Sequence, residues 1–233
     1  MDALIGTMVA SAFDAATALP AASVELDGGG CWIAFGFIGA GNVAQAIARC
    51  ALAQGHKVII GSRRGPQALV ETVAKFGSTD ARAGTLADAA LAEMVVLAVP
   101  WPEAERALAD APAWNGRVLI DATNPFASYK PELRLTDLGG RSSSSIIATY
   151  TSGARVVKAF NSVTMANFQK GPRAGDARRL LFVSGNDVDA RQQVTSLIEG
   201  FGYAVIDLGD LESGGLMQQA GGPLAGKDLL LAG

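Results

Sequence analysis

Gly39, Gly41 and Ala44 in "GAGNVA" follow the apolar run "IAFGFI" and open the helical run "NVAQAIARCALAQG". The spacing is G-x-G-x-x-A, and each position has a physical task. The first glycine permits a tight turn, the second lets backbone approach a pyrophosphate, and the small third residue allows the helix to pack closely on the sheet. Free amides at the start of that helix would then face phosphate oxygens. The pattern predicts a dinucleotide turn, with Ala40, Asn42 and Val43 as its other members. Glycine-rich turns also arise for steric reasons alone, so the reading depends on the strand and helix around it.

A dinucleotide turn raises the question of which ribose it serves. NAD sites place an acid about 20 residues on, at the end of the second strand. Here the chain reads "VIIGSRRGP", with Ser62, Arg63 and Arg64 and no acid. Two guanidiniums and a hydroxyl suit a 2′-phosphate, so NADP is the expected cofactor; the plain alternative is a solvated basic turn before Pro66. Val99, Pro100 and Trp101 in "VVLAVPW" end the fourth strand at the same sheet edge, where they border a nicotinamide or simply close a loop. Asn124 and Pro125 in "DATNPF" invite the same two readings, since Asx-Pro also marks ordinary turns.

Groups able to move protons or bind metal are few. His56 is the only histidine, in the turn before the second strand, and Cys31 and Cys50 have neither metal-ligand spacing nor the density of a disulfide scaffold. We therefore assign no catalytic and no metal residue. Lys158 in "RVVKAF" could protonate a carbonyl oxygen. Its alternation with Val157 and Ala159 fits a strand-end lysine in solvent, which is the favoured reading.

These residues need a scaffold, and β-rich runs alternating with Ala-rich helical stretches from residue 32 onward supply one. Strands are expected at Ile33 to Ile38, Lys57 to Gly61, Met94 to Ala98, Arg117 to Asp121, Arg155 to Phe160, Leu180 to Ser184 and Ala204 to Asp207, with a weaker one at Asp80 to Arg82. Helices are expected at Asn42 to Gln54, Pro66 to Phe76, Leu86 to Ala92, Pro102 to Ala109, Ser144 to Ser152 and Val188 to Gly200. The fold class is α/β, a doubly wound, mostly parallel Rossmann-like sheet in one NADP-binding domain, residues 31–233. Residues 1–30 read as a flexible extension, and Gly209 to Gly226 as a long glycine-rich loop of the functional or mobile kind.

Composition excludes other classes. With 49% hydrophobic and 18% charged residues and a net charge of −3, the chain is globular and lacks the basic footprint of a nucleic-acid binder. No apolar run reaches the roughly 18 residues of a membrane span. "ALIGTMVASAF" has a faint secretory look, but Asp2 is acidic and no basic residue precedes the run. A reducing, cytoplasmic setting is the expectation.

"GFIGAGNVA", "GSRR", "VLAVPW" and "VVKAF", in this order, make residues 33 to 226 resemble the coenzyme F420-dependent NADP oxidoreductase family, and also the cytosolic reductase domains of membrane ferric reductases. The resemblance implies that Ala40 to Val43 hold the pyrophosphate and that Ser62, Arg63 and Arg64 hold the 2′-phosphate. It also implies that Val99 to Trp101 and Ala159 lie along the nicotinamide, and that the chain is a homodimer. It further implies hydride exchange between nicotinamide and a planar acceptor such as F420 or a flavin, with no protein acid or base. "KAFNSVTMANF" is closer to the bacterial relatives, so the acceptor is expected only as a small redox molecule of this kind. Two other readings stay open. One is an NADPH-binding sensor without turnover. The other is a small carbonyl or imine reductase, the least expected because the helical substrate domain of such enzymes finds no room after Asp207.

Overall fold

In the computed structural model, residues 32–232 are described, so the expected extension at residues 1–30 and Cys31 lie outside the described residues. The elements run β1 (Ala34–Ile38), α1 (Asn42–Ala53), β2 (Lys57–Gly61), α2 (Val70–Ala74), β3 (Ala81–Gly84), α3 (Leu86–Ala90), β4 (Met94–Leu97), α4 (Ala104–Leu108), β5 (Val118–Asp121), β6 (Phe126–Ser128) and β7 (Arg134–Leu135). They continue as α5 (Ser143–Tyr150), β8 (Arg155–Lys158), α6 (Met165–Phe168), β9 (Arg173–Ala174), β10 (Ala177–Gly185), α7 (Val188–Gly200), β11 (Ala204–Asp207), α8 (Ser213–Gln218) and β12 (Leu230–Leu231). Short 3-10 turns, Pro66–Leu69 and Trp101–Glu103, begin the second and fourth helical stretches.

The main sheet has the order β11-β10-β8-β5-β4-β1-β2-β3. From β3 to β8 all neighbours are parallel. β10 reverses against β8, and β11 then runs parallel to β10. β9 and β12 add short antiparallel pairings to β10, and β6 and β7 form a separate hairpin. The strand order reverses between β1 and β4, so the crevice outside their carboxyl ends is where an open α/β sheet accepts a ligand.

Helices cover both faces, which is why the central strands read as continuous apolar runs. Phe35 and Phe37 pack into one core with Ala44, Ile47 and Ala48 of α1 and Val194 and Ile198 of α7. Ala34 and Ile38 face the opposite core with Ala89 and Ala90 of α3, Ala107 and Leu108 of α4, and Ile147 of α5. Close approach of α3 requires two glycines. A Cβ on Gly36 would stand 1.7 Å from the Ala89 carbonyl oxygen, and one on Gly61 would stand 2.5 Å from that of Thr85.

Two expectations are corrected. The segment from Gly209 to Gly226 is not an open loop: it holds α8, with Gly214, Gly215 and Gln218 buried. Gly214 lets that turn close on Leu208, whose carbonyl oxygen lies 2.5 Å from where a Cβ would stand. Lys158 is not in solvent. It is fully buried on the α5 side of β8, where a cluster of polar groups receives it.

Candidate functional site

The glycine turn is built as its spacing requires. Gly39 adopts φ +119°, outside the range comfortable for L side chains, and a Cβ there would meet the Ala98 carbonyl oxygen at 2.3 Å. The fold itself demands this glycine. Gly41 differs: it caps α1 with an ordinary φ of −76°, and a Cβ on it would find nothing within 4 Å. Neither strain nor packing accounts for glycine here, and the space beside it is a groove. No side chain caps α1 and no acid occupies its first turn, so its leading amides are free for an anion.

Two cavities meet at Gly41, Ala98, Val99 and Pro100. The first, about 460 Å³, lies at the ends of β1 and β2 and is lined by Gly39, Ala40, Ser62, Arg63, Arg64, Leu86, Glu103 and Ala107 as well. The Ser62 hydroxyl accepts the Arg64 backbone N–H at 3.3 Å, which shapes the turn. An Arg63 guanidinium nitrogen lies 2.6 Å from a Glu103 carboxylate oxygen, with both side chains about two-fifths exposed. Exposed pairs of this kind are worth about 1 kcal/mol or less, so Arg63 is free to exchange partners.

The second cavity, also about 460 Å³, runs over the ends of β4, β5 and β8. Asn42, Val43, Ala122, Thr123, Asn124, Phe126, Tyr129, Phe160, Asn161, Val163 and Met165 line it. Phe160 holds φ +62°, an uncommon state for a bulky residue, and this turn carries Asn161 into the cavity wall. Asn161 Nδ2 donates to Asn124 Oδ1 at 3.0 Å and to the Gln218 carbonyl at 2.8 Å, while Asn124 Nδ2 donates to the Asn161 carbonyl at 2.8 Å. Gln218 in turn donates to the Lys158 carbonyl and to Ser184 Oγ, which ties α8 to the strand ends.

Beneath this floor lies the buried pair. Lys158 Nζ donates to Ser143 Oγ at 2.9 Å, Ser144 Oγ at 3.0 Å and the Thr123 carbonyl at 3.2 Å. Asp121 Oδ1 accepts both the N–H and the hydroxyl of Thr123. Burial pulls the Lys158 ammonium below the usual lysine range, opposed by the Asp121 carboxylate. The pair fixes the Ala122–Asn124 turn from below, and Lys158 does not line the cavity.

Three residues expected at the site adjoin its lining without being part of it. Trp101 starts a 3-10 turn directly after Pro100, is half-buried against the core cluster that includes Ile38 and Leu97, and is not among the residues lining either cavity. Pro125 is buried, and its carbonyl accepts the Thr136 N–H at 2.7 Å. Ala159 is fully buried in the core beside Phe160. Thr123, Phe126, Tyr129, Phe160, Asn161, Val163, Met165, Leu86 and Glu103 were not singled out from sequence. Thr123 and Phe126 lie within "DATNPF", and Phe160, Asn161, Val163 and Met165 within "KAFNSVTMANF", so the marked strings held them without naming them.

Tyr129, in the wall of the second cavity, has its phenol pushed above the ordinary range by burial, whereas His56 and Cys50 line neither cavity. His56 precedes β2 at the opposite edge of the sheet, where its Nδ1 accepts the Ile33 N–H at 3.4 Å and burial lowers its pKa. Burial pushes the Cys50 thiol up to about 11. Among the described residues, no helix is long and apolar enough to cross a membrane.

The family described as NADP oxidoreductase, coenzyme F420-dependent, matches residues 34–125. A hypothetical protein of Sinorhizobium meliloti is 38% identical, with a TM-score of 0.78 over 85% of this chain and 96% of that one. A protein of Arthrobacter assigned as an F420-dependent NADP reductase is 30% identical, with a TM-score of 0.66 over 77% of this chain and 85% of that one. Metalloreductase STEAP3 of Rattus norvegicus is 26% identical over 76% of this chain, which spans only about a third (34%) of that relative's length. The chain belongs to the family of coenzyme F420-dependent NADP oxidoreductases.

Proposed function

We propose that the chain is an NADPH-dependent oxidoreductase exchanging hydride between NADP(H) and a planar redox molecule such as F420 or a flavin. One observation carries the cofactor reading: Gly41 leaves open space beside uncapped helix amides, in a groove whose far end presents Ser62, Arg63 and Arg64. That donor set fits a pyrophosphate and a 2′-phosphate. On this reading Ala40 to Val43 hold the pyrophosphate, Ser62, Arg63 and Arg64 hold the 2′-phosphate, and Val99, Pro100 and Asn124 border the nicotinamide. Trp101, Pro125 and Ala159 support the walls from behind. We also expect residues 31–233 to act as one NADP-binding domain, assembled as a cytoplasmic homodimer.

When bound, NADPH supplies the hydride. The chain's own work is to bind, orient and exclude water, because rate comes from holding two rings in register. The carbonyl-reductase alternative loses its candidate acid, since Lys158 is committed to four polar partners under the floor. The test is spectroscopic: NADPH oxidation against F420, FMN, FAD, ferric chelates, quinones and a simple ketone. Turnover of a flavin-type ring supports the reading. Rapid turnover of the ketone with none of the ring compounds overturns it, and NADPH binding without any turnover favours a sensor.

A further inference from the structure

β9 and β12 flank the first residues of β10 and make with it a three-stranded ribbon. β10 opposes β8 with Ser184 beside Lys158, so the residues before Ser184 run past the carboxyl end of β8, and the ribbon stands at the same sheet edge as the groove. Its register aligns three side chains: Arg173 of β9 faces Arg178 of β10, and Arg178 faces Leu231 of β12. Residues directly opposite on antiparallel strands share a face, so two guanidiniums and a leucine form one row. Arg179, next along β10, takes the other face, where it is buried on Asp228 and the Gly171 carbonyl.

That row departs from ordinary sheet chemistry. Like charges directly opposite each other repel, and favourable cross-strand neighbours carry opposite charges or apolar groups. Among the described residues, neither Arg173 nor Arg178 is in an ion pair. Asp176, in the turn between their strands, pairs with neither, and Asp228 is taken by Arg179 and Lys170. Residues 170–179 and 227–231 carry five cations, Lys170, Arg173, Arg178, Arg179 and Lys227, against those two acids, in a chain whose net charge is −3. Arg173 is exposed, and Leu231 is 46% exposed at the end of the row.

The shape of the row selects the partner. It lies on an open face outside both cavities, where a lone anion would keep its water and gain little from exposed guanidiniums. A bilayer is held by apolar groups that sink about 5–10 Å past its surface, and a leucine half covered in its strand has no such reach. Carboxylates fixed on a protein surface suit the row better. Arginine meets them with paired hydrogen bonds, and arginine beside an apolar side chain is the composition of protein interfaces.

We propose that this ribbon is the docking surface for a protein partner with an acidic face, seated at the sheet edge that carries the groove.

A fluorescein-labelled peptide of about ten glutamates stands in for that face. Anisotropy titration on the full chain, with NADP⁺ in excess, should show binding that weakens about three-fold or more when the salt is tripled. Arg173→Gln with Arg178→Gln should weaken it by about five-fold or more, and the melting temperature should not fall, because two like charges no longer face each other. Lys75→Gln with Arg82→Gln removes two exposed charges at the far edge of the sheet and should change it by less than about two-fold. Inorganic phosphate at matched ionic strength should not displace the peptide, and vesicles of phosphatidylserine and phosphatidylcholine should leave the chain in the supernatant. Absent peptide binding, equal affinity in the parent and the Arg173→Gln, Arg178→Gln variant, or a lowered melting temperature in that variant overturns the proposal. Displacement by phosphate, or retention on vesicles that the same variant abolishes, overturns it in favour of a small anion or a lipid surface.

Discussion

Lys158 Nζ lies 3.4 Å from Asp121 Oδ2, and neither side chain has any exposed surface. β5 and β8 are parallel neighbours that place Asp121 and Lys158 in register, and α5 closes over them with Ser143 and Ser144. The charges are paired and almost every donor and acceptor is used, which is the condition under which a buried ion pair is tolerated.

Removing one partner should therefore act first on stability. Lys158→Met leaves Asp121 buried without a counter-charge and should cost about 3–5 kcal/mol in urea unfolding. Lys158→Met combined with Asp121→Asn should recover part of that loss. With Asp121→Asn measured alone beside them, a double-variant loss equal to the sum of the two single losses would show that the pair is not coupled.

The two turn glycines should separate fold from function. Gly39→Ala meets both a positive φ and a carbonyl oxygen, so it should lower the melting temperature markedly. Gly41→Val meets open space and should keep the parent melting temperature within a few degrees while losing NADPH binding. Calorimetry with nucleotide titration checks both, and retained NADPH affinity in folded Gly41→Val would place the pyrophosphate elsewhere.

Glu103 is an acid in a pocket assigned to a phosphate, and it occupies Arg63. Glu103→Gln removes a competing anion near a dianion and should tighten NADPH by about three- to ten-fold, with NADH changed by less than about two-fold. Weaker NADPH binding in this variant would mean that Glu103 orients Arg63 for the cofactor instead.

α3, the helix pressed against Gly36 and Gly61, starts with a reciprocal cap: Thr85 Oγ1 accepts the Asp88 N–H at 3.0 Å, and Asp88 Oδ2 accepts the Thr85 N–H at 2.8 Å. The bond from the Thr85 backbone holds the Asp88 carboxyl below its ordinary pKa. A depressed carboxylate stabilises the fold above its unfolded pKa, about 3.9, and that stabilisation is lost as pH falls through the lower folded value. Thr85→Ala should cost about 1 kcal/mol at neutral pH. Asp88→Asn should flatten the acid limb of the stability profile, and an unchanged limb in that variant would remove Asp88 from the account.

Much of this architecture was legible in advance, for identifiable reasons. β2, β11 and α7 fall at their expected bounds because turn residues punctuate strong apolar patterns. The glycine turn and "GSRR" were legible because their chemistry is local. Lys158 was misread because alternation tells which face a side chain takes and not what covers that face; α5, arriving from 14 residues away with two serines, decides it. α8 was missed because paired glycines score as loop, although here they allow close packing. Trp101 was expected at the ring end because a strand end points there, and the 3-10 turn that it starts leaves it packed on the core and outside the lining of both cavities. Asn161 needed the positive φ of Phe160, which no local pattern announces.

The central claim is that this groove selects NADP through Ser62, Arg63 and Arg64. Titrating NADPH and NADH against the parent and against Arg63→Ala with Arg64→Ala tests it most directly. Each charge-assisted hydrogen bond to the phosphate is worth roughly 1.5–3 kcal/mol, so the NADPH preference should fall by about ten-fold or more while NADH affinity barely moves. An unchanged ratio of the two affinities would contradict the account.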